Sequence, residues 1–161
     1  MRLFLLRHAE AVDHPRDEAR ALSAFGRRSL EPLADLVRVQ GRLHEVEIWH
    51  SPLVRAVETA RLFAQRLGWK TFTPLARAGL RPEDDPTDLV PLLSVRAGDL
   101  LLVGHEPFLS GLATVLLTGT VYPPKVIMEK ASLLCLERIG SGPHVFWSVR
   151  WHLPGSDSGR S

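Results

Sequence analysis

The chain has 161 residues, 45% apolar and 24% charged, the size and composition of one soluble domain with a full hydrophobic core. Its 20 Lys and Arg stand against 18 Asp and Glu, interleaved along the chain, so the cationic stripe that a nucleic-acid partner needs is not seen. No apolar run approaches the roughly 20 residues that span a bilayer, no leader-type segment opens the chain, and the lone Cys135 can form no intrachain disulfide, a pattern expected of a soluble, cytoplasmic protein without a membrane partner.

Arg2 to Leu6 is a continuous Leu/Phe run and predicts a central strand covered on both faces. Asp13 to Ala21 is charged and holds a proline, and reads as a mobile loop. Ser23 offers an N-cap to a helix whose Leu30, Leu33, Leu36 and Val37 keep helical spacing as far as Gly41, with Pro32 expected to kink or split it. Glu47 to His50 predicts a second strand. Ser51-Pro52 then reads as the N-cap and first turn of a helix striped by Leu53, Val57, Ala60, Ala64 and Leu67 and capped by Gly68. Lys70 to Thr73 predicts a third strand, Ala76 to Thr87 a loop, and Asp88 to Val95 a short helix. Asp99 to Val103 is another buried, parallel-type strand, broken at Gly104-His105 and followed from Pro107 by an apolar helix that ends at Gly119. In the last third, Ser132 to Ile139 and His144 to Leu153 flank GSGP, and Val145, Trp147, Val149, Trp151 and Leu153 alternate with mostly polar neighbours, which predicts an antiparallel hairpin.

Alternating strands and helices with a hairpin appended predict an α/β fold: a three-layer α/β/α sandwich around a mainly parallel central sheet with a C-terminal antiparallel hairpin. One domain over residues 1–153 and a flexible tail over 154–161 are expected.

In such sheets ligands collect outside the carboxyl ends of the strands. Arg7-His8 follows the first strand, Ser51 to Arg55 the second, and Gly104-His105 the DLLLV strand, so each places a cation-capable side chain on one rim. Arg55 falls in the first turn of its helix, where the positive end of the macrodipole disfavours a lone cation by roughly 0.3 to 1 kcal/mol. An anion held there reverses that sign, and free helix N–H groups with a bidentate guanidinium suit a phosphoryl group.

The stretches LLRHAE (5–10), SPLVRAVETA (51–60) and VGHEP (103–107) together resemble the histidine phosphatase superfamily, and the LS-x-x-G stretch at 22–26 and the short length look most like its SixA-type phosphohistidine phosphatases. The resemblance implies that Arg7, Arg55 and His105 bind phosphate and that His8 is the nucleophile, making Arg7, His8, Arg55 and His105 the catalytic set. It implies a phosphatase that works through a covalent phosphohistidine, with no metal and no other cofactor. The expected partner is a phosphorylated substrate, including a phosphohistidine-bearing protein. Many larger relatives carry an acidic residue near the position of Gly79 here; the candidates left for a general acid are Glu83, Asp84, Asp85 and Glu10, with Asp13 also within reach of the rim. Glu58 stands where many relatives have glutamine and is given a supporting role.

Bland readings accompany these. Ser51 reads as an N-cap before a substrate ligand, and Lys130 as a residue bordering the pocket. His14, His44, His50, His144 and His152 show no metal spacing, and Trp147 and Trp151 read as core. The competing functions are a phosphoglycerate mutase-like activity, a broad small-molecule phosphomonoesterase, and a non-catalytic phosphate-binding module. The absent acid and insertions weigh against the mutase. A phosphohistidine can leave as neutral imidazole without an acid, which favours it over alkyl phosphates.

Overall fold

The fold, taken from a computed structural model, is described for residues 1–71, 73–140 and 144–155. Six strands form one sheet in the order β3-β2-β4-β1-β5-β6. They are β1 (Arg2–Arg7), β2 (Glu47–His50), β3 (Leu75–Ala76), β4 (Leu100–Gly104), β5 (Leu133–Ile139) and β6 (Phe146–Leu153). The first four run parallel and the last two are antiparallel, so the sheet is the mainly parallel one with an appended hairpin that the sequence predicts.

The apolar run of β1 is continuous because both of its faces are covered. Leu3 and Leu5 point into a core with Leu100, Leu102, Phe108, Leu112 and Leu93, under α3 (Val90–Val95) and α4 (Phe108–Thr118). Phe4 and Leu6 point the other way, into a core with Leu33, Val37, Ala60 and Phe63 from α1 (Ala24–Val39) and α2 (Val54–Arg66). Helices on both faces give three layers.

Ser23 caps α1 as expected, its side chain accepting from Gly26 N at 2.9 Å. Pro32 neither splits nor ends that helix. Pro32 and Arg28, one turn earlier, are both exposed, so the carbonyl that loses its intrahelical donor lies on the solvent side. The second helix starts later than expected, with Leu53 rather than Ser51 at its N-cap, and Ser51 Oγ accepts only a long bond from Leu53 N at 3.4 Å. The third strand lies at 75–76, not 70–73. Trp69 still belongs to the helix terminus through its bond to Ala64 O, so the chain reaches the edge of β2 only further on; Phe72 is outside the described residues.

The loop read as mobile carries structure. A short 3-10 turn, Asp17–Ala19, sits inside it, and Val12 N donates to Ala21 O at 2.9 Å across its base. In the hairpin, Cys135 faces Trp151 while Leu136 faces Val149, so Arg150 is an extra residue in β6. The bulge breaks the strict alternation expected of this strand. Trp147 packs into the α3/α4 core, whereas Trp151 and Leu153 pack on the α1/α2 side, and Val149 is exposed. The turn residues 141–143, and the expected tail from residue 156, lie outside the described residues.

Candidate active site

The register Arg7↔Gly104 and His50↔Val103 brings the carboxyl ends of β1, β4 and β2 to one edge. His8 follows β1 with its N–H bonded to Gly104 O at 3.0 Å, and Ser51 follows β2 with its N–H on Val103 O at 3.0 Å. The three sequence stretches therefore converge because the strands before them are neighbours. On this edge stand Arg7, His8, Arg55 and His105, with the His8 and His105 rings 4.9 Å apart and inclined at 54°.

His8 is buried, and its Nδ1 lies 2.7 Å from Ala9 O. A carbonyl only accepts, so Nδ1 carries the proton and Nε2 keeps its lone pair. Burial pushes the His8 pKa down to about 4, against the raising effect of the Ala9 bond and with help from the charges of Arg55, Arg7 and Lys130. The imidazole is neutral at ordinary pH, as a nucleophile must be. Lys130, placed by sequence at the border of the pocket, is close enough for its charge to act on His8.

His105 is 1% exposed, and both of its ring nitrogens lack a hydrogen-bond partner among the described residues. Burial, then the proximity of His8 and Arg55, lowers its pKa to about 3. A neutral ring with a free N–H is a donor for an incoming oxygen. Arg7 is in a similar position: its Nη1 donates to Met128 O at 2.7 Å, while its buried Nε has no partner among the described residues. Orphaned buried donors normally cost stability, and an oxyanion with several acceptor oxygens satisfies them together.

Arg55 is 4% exposed, and its carbonyl is tied to the loop that follows β1. Thr59 Oγ1 donates to Arg55 O at 2.7 Å and accepts from Ala9 N at 3.1 Å, a bridge from α2 to the peptide beside His8. The Arg55 guanidinium donates to Asp17 O at 2.9 Å and to Asp17 Oδ2 at 3.0 Å. Desolvation pushes the Asp17 carboxyl up, but the hydrogen bonds and charges of Arg55 and Arg20 together outweigh it and the net shift is downward. Arg55 is therefore not the lone cation that its helix position suggests.

The carboxylates considered as acids have partners of their own. Asp84 Oδ2 accepts from Arg81 N at 2.6 Å, Asp85 caps the 3-10 turn Pro86–Leu89 through Thr87 N, and Glu83 lies 3.9 Å from Arg81. Glu10 accepts from the Ser23 hydroxyl at 2.8 Å, at the start of α1, and Asp13 is exposed and pairs with Arg20. Glu58 binds Leu22 N at 2.7 Å and Arg27 at 2.7 Å, fastening the end of the first loop and α1 to α2.

Sequence reasoning missed Asp17, Thr59 and Glu106. Glu106 Oε1 accepts from Ser110 Oγ at 2.7 Å and Met128 N at 3.2 Å, so it fixes the residue whose carbonyl holds Arg7. Burial raises its pKa, countered by the Ser110 bond and the charge of Arg7. Only Glu106 had a local signal, its place beside His105; Asp17 and Thr59 act through contacts 38 and 50 residues apart in sequence.

Residues 3–81 match the model of the histidine phosphatase superfamily, branch 1. No curated protein matches the sequence. Among solved structures, the chain is similar to the protein histidine phosphatase SixA complexed with tungstate, at 21% identity and a TM-score of 0.82, over 96% of this chain and 97% of that one. It is also similar to a mycobacterial glucosyl-3-phosphoglycerate phosphatase, at 19% identity and a TM-score of 0.71, over 98% of this chain and 99% of that one. A structure named mycobacterial hydrolase 1 gives 18% identity and a TM-score of 0.73, over 96% of this chain and 99% of that one. At these identities the structures establish the fold. Residues 3–81 thus resemble the histidine phosphatase superfamily in sequence, and the chain shares the fold of these solved structures along nearly all its length.

Proposed function

We propose that this protein is a phosphatase that passes the phosphoryl group through a covalent intermediate on His8, and that phosphohistidine, free or on a protein, is its preferred substrate. The match of residues 3–81 to the superfamily model supports the phosphatase activity. The observation that carries the nucleophile is the Nδ1–H bond of His8 to Ala9 O, which leaves Nε2 unprotonated within the field of Arg55 and Arg7. In this mechanism His8 Nε2 attacks phosphorus in line, and the bond to the leaving group breaks. Arg7, Arg55 and His105 hold the equatorial oxygens of a loose transition state. Water then cleaves the phosphoenzyme. Side-chain cations supply the positive charge, and full activity in a strong chelator is the expected outcome.

The preference for phosphohistidine rests on the partners of the carboxylates. Glu83, Asp84 and Asp85 bond within their own turn and Glu10 bonds to Ser23, so protonation of a basic alkoxide has no assigned donor. An imidazole leaving group, whose conjugate acid has a pKa near 6.5, needs none. The second reading, a phosphatase for small phosphomonoesters, is favoured by the likeness to a glucosyl-3-phosphoglycerate phosphatase. Steady-state kinetics on a phosphorylated histidine-transfer protein beside aryl and alkyl phosphates separates the two. The first reading predicts higher kcat/KM for the phosphohistidine and rates that fall steeply as the leaving-group pKa rises. Efficient alkyl phosphate turnover, lost in one amide variant of residues 83–85, contradicts it.

A further inference from the structure

A carboxylate in contact with a phosphate-binding arginine is unexpected at a dianion site. Asp17 donates no proton readily, since its pKa is lowered, and it neutralises part of the charge that Arg55 offers a phosphate. Its side chain is 59% exposed while that of Arg55 is 5% exposed, so Asp17 stands at the mouth of the site and Arg55 below it. His8 lies in the buried floor, and an in-line attack from the floor sends the leaving group toward the open side, where Asp17 is.

We propose that Asp17 is a specificity-determining residue whose carboxylate accepts a hydrogen bond from a protonated, nitrogen-linked leaving group, selecting phosphoramidates such as phosphohistidine over phosphate esters. The inference rests on the phosphatase reading above and deepens it. A protonated phosphohistidine ring carries an N–H and a positive charge beside its phosphoryl group; an aryl or alkyl ester carries neither. Asp17 Oδ2 is engaged by Arg55, whereas Oδ1 makes a long contact to Arg20 at 3.4 Å, and the exposed carboxylate keeps acceptor capacity facing solvent. No proton is transferred in the step. The Nε2 lone pair of His8 forms the new P–N bond, the old P–N bond breaks with its electron pair going to the departing ring, and the ring keeps the N–H bonded to Asp17 and leaves neutral. Asp17 thereby favours the reactive, protonated form of the substrate, and the effect appears in kcat/KM.

The test compares the full-length chain with Asp17→Asn and Asp17→Ala, and with Glu18→Gln as a control on the same turn, using a phosphohistidine peptide and 4-nitrophenyl phosphate. Because the ratio of the two kcat/KM values is read within each variant, partial misfolding cancels. The expected result is a fall of about tenfold or more in the phosphohistidine-to-ester ratio for both Asp17 variants, the factor that corresponds to a charge-assisted hydrogen bond, with the ratio unchanged in Glu18→Gln. Equal loss on both substrates makes Asp17 only an orienter of Arg55 and overturns the proposal. Equal gain on both makes it an inhibitory contact and overturns it too. If the wild-type chain hydrolyses neither compound, the phosphatase reading itself fails, an outcome distinct from either of these.

Discussion

Arg55 sits in the positive first turn of α2, yet its guanidinium is paired with Asp17 rather than alone. The helix dipole argument alone suggests that Arg55→Ala leaves stability unchanged or improved. The pair alters that expectation: two bonds to the first loop are lost, but the partner left behind is an exposed carboxylate, so the cost is only about 1 kcal/mol. Catalysis should suffer far more, with kcat falling on the order of 10² or more in Arg55→Ala and in Arg7→Ala, as for loss of a preorganised transition-state donor. Kinetics together with thermal melts check this. A collapse of folding in Arg55→Ala with activity per folded molecule intact contradicts the assigned role. The arginines themselves were legible, because each follows a recognisable strand or opens a helix. Asp17 was not, since a charged loop reads as solvated until the tertiary structure supplies its partner.

Among the elements, the first loop and α1 fit together at Gly26. A Cβ built there lies 2.1 Å from Glu10 O, a backbone atom that cannot swing away. The glycine at the end of the LS-x-x-G stretch is therefore needed for the close approach of α1 to the chain just after His8. Gly26→Ala should destabilise the protein by roughly 1 to 3 kcal/mol, as overpacking does, and weaken activity by shifting the loop that bears Asp17. Calorimetry on the variant tests it, and an unchanged melting temperature contradicts the close-approach argument. Strand existence was readable because apolar runs and turn residues bound each element. What escaped were the β6 bulge and the place of β3. Arg150 reads as an ordinary polar neighbour in an alternating strand, and only pairing with β5 shows that it is extra. The position of β3 depends on how far the chain travels from the end of α2 to the sheet edge.

Across the whole molecule, two buried imidazoles at the carboxyl edge of the sheet make stability depend on pH. The pKa values of His8 and His105 in the folded chain are about 4 and about 3, both lowered by burial from the ordinary 6.5. From pH 6.5 down to about 4 for His8 and about 3 for His105 the unfolded chain binds more protons at these sites than the folded one, so their contribution is complete above pH 6.5 and is lost as pH falls through those windows. The slope reaches about 1.4 kcal/mol per pH unit for each group. Denaturant titrations should show a shallower acid-side fall in a His8→Asn/His105→Asn variant than in the wild type. Identical curves show that the two rings are not held neutral. The three layers and the convergence of three separated stretches at one sheet edge follow from strand ends that the sequence displayed; the sheet order and the long-range partners that tune those stretches appear only in the fold. The proposed chemistry turns on one atom, Nε2 of His8. Rapid quench with a labelled phosphoryl substrate should trap an acid-labile, alkali-stable label on His8 within the first turnover, and His8→Ala should trap none. Equal labelling of that variant, or turnover by the wild type with no trapped phosphoenzyme, contradicts the account.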